Sequence, residues 1–79
     1  MRRDIFKAIQ DSDNLVVEFD YCDSKGQVTR RVTSPIRFLG KERFLALCLS
    51  REEPRQFYLS RCTNLVIRNA HEFLMPVAI

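Results

Sequence analysis

The sequence predicts a mainly β fold: a small SH3-like or Sm-like antiparallel β-barrel of about five strands, preceded by a short N-terminal α-helix. Two observations indicate this class. Short apolar or alternating segments are separated by clusters of turn residues, and no regular alternation of helices with strands follows. With 79 residues the chain can build one hydrophobic core, so we expect a single domain over residues 1–79.

The first element is a helix over about residues 3–10. Ile5, Phe6 and Ile9 are spaced so that they form one apolar stripe, and Asp4 is favourable in the first helical turn. A polar cluster that follows ends the helix. We expect the apolar stripe to cap the sheet.

The barrel is expected over about residues 15–68. Its clearest strand alternates so that Phe19 and Tyr21 lie on one face and Glu18 on the other. A turn at Gly26 starts a hairpin. Pro35 predicts an edge, a bulge or a strand end, with a bend of the chain, because proline cannot donate to a sheet ladder. The five expected strands cover residues 15–21, 27–34, 43–49, 55–60 and 65–68, with 36–39 also extended.

Charge is distributed unevenly along the chain. Residues 1–24 hold three basic and six acidic side chains, whereas residues 25–68 hold ten basic and three acidic ones. Eight of those ten are arginines, whose planar guanidinium can bind phosphate through two hydrogen bonds and stack on a base. The second segment therefore predicts affinity for anions, with an ordinary solvated basic surface as the alternative.

Features of catalysis and metal binding are scarce in this sequence. His71 is the only histidine, the two glycines form no phosphate-binding loop, and Cys22, Cys48 and Cys62 are too widely spaced for a zinc site. We expect buried thiols, no metal, no cofactor and no enzymatic activity. The sequence has no apolar run of about 20 residues and begins without a signal-peptide pattern, which predicts a cytoplasmic protein that does not cross a membrane.

Arginines and aromatic residues alternate on the predicted strands and form the candidate binding surface. It comprises Arg30, Arg31, Arg37, Arg43, Arg55 and Arg61 together with Phe38, Phe44, Phe57 and Tyr58. Such a surface can bind nucleotides or single-stranded nucleic acid, with guanidinium groups on phosphates and aromatic rings under bases. Because the phenylalanines are needed in the core, we expect Tyr21 and Tyr58 to be the stacking residues.

The order of several short segments resembles the WYL domain. They are VEFDY at 17–21, the turn glycine at 26, RRVTSPIRF at 30–38, FLALC at 44–48 and RQFYLSR at 55–61. The naming Trp-Tyr-Leu triplet of the family is Arg43-Phe44-Leu45 here, and the isoleucine that follows the last arginine is Cys62.

The resemblance implies a ligand-sensing Sm-like barrel, with nucleotides or nucleic-acid fragments as the suspected ligands. It also implies a bacterial transcription regulator, although the winged-helix domain that usually precedes a WYL domain is not expected here. Carried over by position, the family's polar and aromatic positions are Tyr21, Arg31, Arg55, Phe57 and Arg61. Of these, Phe57 is expected to pack in the core, and Arg55 and Arg61 to be the main ligand contacts.

Two alternatives stay open at this point. The arginines could instead have an internal role, capping turn carbonyls or pairing with Asp20 or Asp23. The tail over residues 69–79, apolar from Phe73 to Ile79, could pack on its own barrel or on a neighbouring chain. The second possibility makes the protein an interaction or oligomerisation module that uses this tail and exposed strand edges.

Overall fold

The computed structural model of the protein describes residues 1–50 and 52–73 and confirms the mainly β prediction. Five strands follow one N-terminal helix. The elements are α1 (Arg2–Gln10), β1 (Leu15–Cys22), β2 (Val28–Leu39), β3 (Arg43–Cys48), β4 (Glu53–Tyr58) and β5 (Cys62–Asn69), with 3-10 turns at Leu59–Arg61 and Ala70–Glu72. Within the described ranges, no helix has the length and apolar character needed to cross a membrane.

The five strands form one antiparallel sheet in the order β4-β3-β2-β1-β5. In the described part of the chain, β4 and β5 do not pair, so the sheet is not closed. It is nevertheless curled, because β4 reaches β1 across the core. The rings of Tyr21 on β1 and Phe57 on β4 have their centroids 5.0 Å apart. The result is a barrel-like globule with one open seam.

Strand β2 is long and irregular at its centre. It has 12 residues, and its pairing with β3 shifts register between Pro35 and Arg37, as expected for a residue that cannot donate to the ladder. The turns on either side of this strand contain Gly26 and Gly40, whose φ angles of 83° and 71° favour glycine. Local sequence signals thus place both ends and the middle of β2.

The core lies between the curled sheet and α1. Phe19 is at its centre, with its ring 5.9 Å from that of Phe44 and 5.3 Å from that of Phe57, both in edge-on contact. The helix contributes Ile5 and Ala8, which are fully buried. The prediction that the helix caps the sheet holds, but Phe6 is 50% exposed, because the buried face is centred between Ile5 and Ala8.

The end of β4 also differs from expectation. The alternation was expected to continue through Leu59 and Arg61, but Leu59–Arg61 form a 3-10 turn and β5 begins directly at Cys62. The chain has to cross from one edge of the sheet to the other at this point, which a continued strand cannot do. Of the predicted apolar tail, residues 74–79 lie outside the described residues.

Candidate anion-binding site

The register of the sheet decides which side each candidate residue faces. Phe19 lies opposite Arg31 on β2, and Ala46 lies opposite Arg55 on β4. Directly paired residues share a face, and Phe19 and Ala46 are buried in the core. Arg31 and Arg55 therefore rise from the concave side of the sheet, which we call the inner face.

Tyr21 belongs to the same part of the inner face as Arg31. It lies directly opposite Thr29 and is a diagonal neighbour of Arg31, a separation of about 7–8 Å that long side chains bridge. The Nε of Arg31 donates a hydrogen bond of 2.9 Å to the Oγ1 of Thr29. This bond directs the guanidinium along β2 towards Thr29, the residue directly opposite Tyr21.

Arg55 lies on the inner face of β4. Its neighbour on the inner face is Phe57, whose buried ring contacts Tyr21 edge-on. Arg55 itself is half-buried and forms no hydrogen bond or ion pair with the described residues. Glu53 is the acidic residue next to Arg55 on this face of the strand, and it forms no ion pair with Arg55. The guanidinium of Arg55 is thus available to a ligand.

Tyr58 and Arg61 lie at the rim, at the junction of β4 with the 3-10 turn. The Cζ of Arg61 is 5.7 Å from the centre of the Tyr58 ring, and its Nη1 donates to the carbonyl of Cys22 at 3.4 Å. Tyr58 pairs with Arg43, which places its ring on the outer face, and it is 44% exposed. Its backbone N–H donates to the Oη of Tyr21 at 3.1 Å, which ties the rim to the inner face.

The two predicted stacking residues therefore differ in availability. The Tyr21 ring is packed edge-on against Phe19 and Phe57 and offers only part of its surface to a ligand. Tyr58 presents an exposed ring beside a guanidinium, an arrangement that suits stacking of a base. Phe44 and Phe57 are core residues, as expected.

A second group of arginines is neutralised on the opposite, outer face. Glu18 accepts from Arg30 at 3.1 Å and from Arg68 at 2.8 Å. Arg30 also pairs with Asp20 at 3.1 Å, and Arg68 with Glu72 at 2.9 Å. The pairs of Arg30 join β2 to β1, and those of Arg68 join β5 both to β1 and to the 3-10 turn that follows β5.

Two carboxylates of this network have pKa values lowered by their hydrogen-bond partners. Hydrogen bonds from Asn64 and then Arg30 lower the pKa of Asp20, and the hydrogen bond from Arg68 lowers that of Glu72. Both groups are therefore held ionised, and the charges of Arg30 and Arg68 are offset by fixed negative charges.

The inner-face and rim arginines contrast with that network. Among residues 1–50 and 52–73, none of Arg31, Arg55 and Arg61 forms an ion pair. The sequence left open that these three arginines pair with Asp20 or Asp23, but they do not. Asp20 pairs with Arg30, and Asp23 accepts hydrogen bonds from the backbone N–H groups of turn residues. Arg61 does contact a strand-end carbonyl, as the internal role implies, but keeps its charge uncompensated.

The structure adds Thr29 to the site, which the sequence analysis did not select, because its Oγ1 holds Arg31. Thr33 lies on the same face but is fully buried and belongs to the core, and its Oγ1 makes no hydrogen bond to the described residues. The signal available in the sequence was the period of two that puts Thr29, Arg31 and Thr33 on one face of β2.

The cysteines and the histidine lie outside this site. Cys48 and Cys62 are buried and Cys22 is half-buried, while His71 is exposed after β5. Burial raises the pKa of the Cys62 thiol to about 12, which keeps it protonated and unreactive. No cluster of three potential metal ligands occurs in the part of the chain that the structure describes.

Comparison with known proteins gives no family assignment. The chain matches no protein-family model, and no curated protein is significantly similar to it.

Proposed function

We propose that the protein is a WYL-like, non-enzymatic regulatory module that binds an anionic ligand, either a nucleotide or single-stranded nucleic acid. Arg31 and Arg55 hold phosphate at the inner face beside Tyr21. Arg61 and Tyr58 contact the rest of the ligand at the rim. A bacterial transcription-regulatory role in the cytoplasm belongs to the same proposal, because such ligands are met there and the sequence resembles that family.

The observation that carries the proposal is that carboxylates neutralise only two of the described arginines, and that those left without one include Arg31 and Arg61, the neighbours of Tyr21 and Tyr58. Arg30 and Arg68 are held by carboxylates on the outer face, whereas Arg31, Arg55 and Arg61 have no carboxylate partner among the described residues. Guanidinium groups without a carboxylate partner attract anions and bind phosphate oxygens through charge-assisted hydrogen bonds.

The aromatic neighbours narrow the class of anion. An exposed Tyr58 ring next to Arg61 gives a base a surface to stack on, and stacking on an aromatic side chain contributes about 1–3 kcal/mol per base. A simple phosphate or carboxylate gains nothing from such a ring. A ligand that carries both phosphate and base fits the combination.

The test is a fluorescence-anisotropy titration of labelled single-stranded DNA and RNA at two salt concentrations. The parent is expected to bind, and more weakly at the higher salt concentration, because phosphate contacts release counterions. In the double variant Arg55→Gln, Arg61→Gln, affinity should fall by about tenfold or more, since each charge-assisted hydrogen bond contributes about 1.5–3 kcal/mol.

Gln10→Glu is the control for Arg55→Gln. Both substitutions lower the net charge by one unit, but Gln10 is exposed at the end of α1 and is none of the residues of the proposed site. The control should keep most of the parent's affinity. Equal losses in the control and in Arg55→Gln would mean that overall charge, rather than the inner face, drives binding, and the proposed site would be wrong.

A second candidate function is protein interaction or oligomerisation. The observation that favours it is the open seam, since β4 and β5 each have one edge that pairs with no strand among the described residues. Unpaired edges are templates for pairing with another chain. Analytical ultracentrifugation of the full chain and of a chain ending at Phe73 tests this function, which requires an assembly that the truncation weakens.

A further inference from the structure

Two further arginines lie on the outer face of the sheet, next to the rim. Arg43 on β3 is directly opposite Tyr58 on β4, so the two side chains share the outer face. Arg37 on β2 is opposite Leu45, two residues after Arg43, which makes Arg37 a diagonal neighbour of Arg43 on the same face. We call Arg37 and Arg43 the β2–β3 arginines.

The charge of the β2–β3 arginines is available to a ligand. Neither forms an ion pair with a described residue, Glu42 beside Arg43 included. The Nη1 of Arg43 donates to the Oε1 of Gln56 at 2.9 Å, a neutral partner on β4. This bond directs the guanidinium towards β4 and uses one of its five N–H donors. Arg37 is exposed. Both side chains can therefore bind a phosphate oxygen.

Tyr58 has a cation on each side of it across the sheet. Its strand, β4, pairs with β3 along one edge and borders the open seam along the other. Arg43 lies on the β3 side. Arg61 lies on the seam side, immediately before β5, with its Cζ 5.7 Å from the centre of the Tyr58 ring. The ring is 44% exposed, so a base stacked on it has a positive charge to either side.

This arrangement distinguishes between the two ligands of the proposed function. Within a nucleic-acid strand every nucleoside carries a phosphate on both its 5′ and its 3′ oxygen, whereas a nucleoside monophosphate carries one phosphate only. With one base stacked on Tyr58, a strand can place a phosphate at Arg61 and another at Arg43. A nucleoside monophosphate can use one of the two guanidinium groups. Arg37, the next cation beyond Arg43, suits the phosphate that follows along the strand.

We infer that the ligand is a single-stranded nucleic acid whose backbone passes over the rim onto the outer face, with phosphates at Arg61 and Arg43 on the two sides of a base stacked on Tyr58. This inference rests on the proposed function and adds the β2–β3 arginines to its binding residues. A basic path that follows the backbone beside an aromatic ring is the usual means of binding single strands without sequence preference.

The test titrates labelled thymidine monophosphate and a labelled oligothymidylate of about eight nucleotides, by fluorescence anisotropy over a series of salt concentrations. The parent should bind the oligothymidylate at least about tenfold more tightly. In Arg37→Gln, Arg43→Gln, affinity for the oligothymidylate should fall by about tenfold or more. The slope of log K against log salt should become shallower by about 0.7 for each lost phosphate contact. The monophosphate should lose less affinity, because Arg61 can hold it alone.

The matched control is Arg3→Gln, Lys7→Gln. It removes two positive charges by the same kind of substitution from exposed residues of α1, which packs against the inner side of the sheet. The control should keep most of the parent's affinity for both probes. Circular dichroism verifies that the variants are folded. If the double variant fails to fold, Arg43→Gln against Arg3→Gln gives the same comparison.

Three results would overturn the inference and leave the proposed function in place. They are equal affinity of the parent for the two probes, equal losses in Arg37→Gln, Arg43→Gln and in the control, or an oligothymidylate affinity of that variant equal to the parent's. In each case Arg55→Gln, Arg61→Gln still tests the proposed function by itself. If the parent binds neither probe at low salt, the proposed function is wrong, and this inference is wrong with it.

Discussion

The backbone N–H of Tyr58 donates a hydrogen bond to the Oη of Tyr21, although β3 and β2 lie between their strands in the sheet. This bond joins the two sides of the curled sheet near its open seam. We expect Tyr21→Phe to lower the free energy of unfolding by about 0.5–1.5 kcal/mol, the usual net value of one hydrogen bond.

Urea denaturation measures the effect of Tyr21→Phe. The matched variant is Tyr58→Phe, which also removes one hydroxyl from a tyrosine, but from an exposed ring on the outer face. It should change stability by less than about 0.5 kcal/mol. Equal effects of the two substitutions would contradict a structural role for the Tyr21 hydroxyl.

The core prediction compares two phenylalanines that differ in burial. Phe19 is fully buried among Phe44, Phe57 and Tyr21, so Phe19→Ala should cost about 3–5 kcal/mol and leave the chain largely unfolded. Phe6→Ala, at a half-exposed site on α1, should cost less than about 1.5 kcal/mol. Thermal melts followed by circular dichroism distinguish them. A large loss in Phe6→Ala would mean that the apolar stripe of the helix is buried as the sequence suggested.

Thr33 gives a prediction of the opposite sign. Its Oγ1 is buried without a hydrogen-bond partner among the described residues, which is unfavourable compared with an apolar group of the same shape. Thr33→Val should raise the free energy of unfolding by about 1 kcal/mol, as measured by urea denaturation. A loss of stability would indicate that the hydroxyl has a partner in solution, such as a bound water molecule.

The outer-face network predicts a pH dependence. The pKa of Glu72 is lowered from its ordinary value of 4.5 by Arg68, so its ionised form is favoured in the folded state. The stability from this group is present above about pH 4.5 and is lost as the pH falls through the lowered value. Carboxyl NMR titration should give Glu72 a pKa below 4.5, and Arg68→Gln should raise it towards that value. An unchanged titration in the variant would show that Arg68 is not the cause.

The cysteines predict a difference in reactivity. Cys62 is buried with a thiol pKa of about 12, and its Sγ donates to the carbonyl of Tyr58, whereas Cys22 is half-buried. Native protein treated with a thiol reagent at pH 8 should therefore be modified at Cys22 well before Cys62. Peptide mass spectrometry over time measures both rates. Modification of Cys62 first would mean that this part of the core opens readily.

The fold was predictable from the sequence where local rules determine it. The alternation in β1, the glycine turns and the irregular pairing at Pro35 depend on neighbouring residues only, although β2 continues through Pro35 as one strand rather than as two segments. The 3-10 turn at Leu59–Arg61 depends on where the two sheet edges lie in space. No local pattern in that segment distinguishes it from a continued strand.

The candidate site was predictable only in part, for a related reason. Counting charge along the chain made residues 1–24 acidic, yet the fold brings Arg2 of that segment to Lys41, in the turn between β2 and β3. Which arginines are neutralised likewise depends on cross-strand register, which pairs Arg30 with Asp20 and leaves its neighbour Arg31 on the other face.

The sheet order also determines how the chain must fold. Strands β1 to β4 pair with their neighbours in sequence, as consecutive hairpins, whereas the β1–β5 ladder joins residues as distant as Leu15 and Asn69. The loop-closure entropy of the whole domain is therefore concentrated in this one ladder. We expect β5 to dock last in folding and to detach first in unfolding, so the lifetime of the native state depends on its contacts with β1.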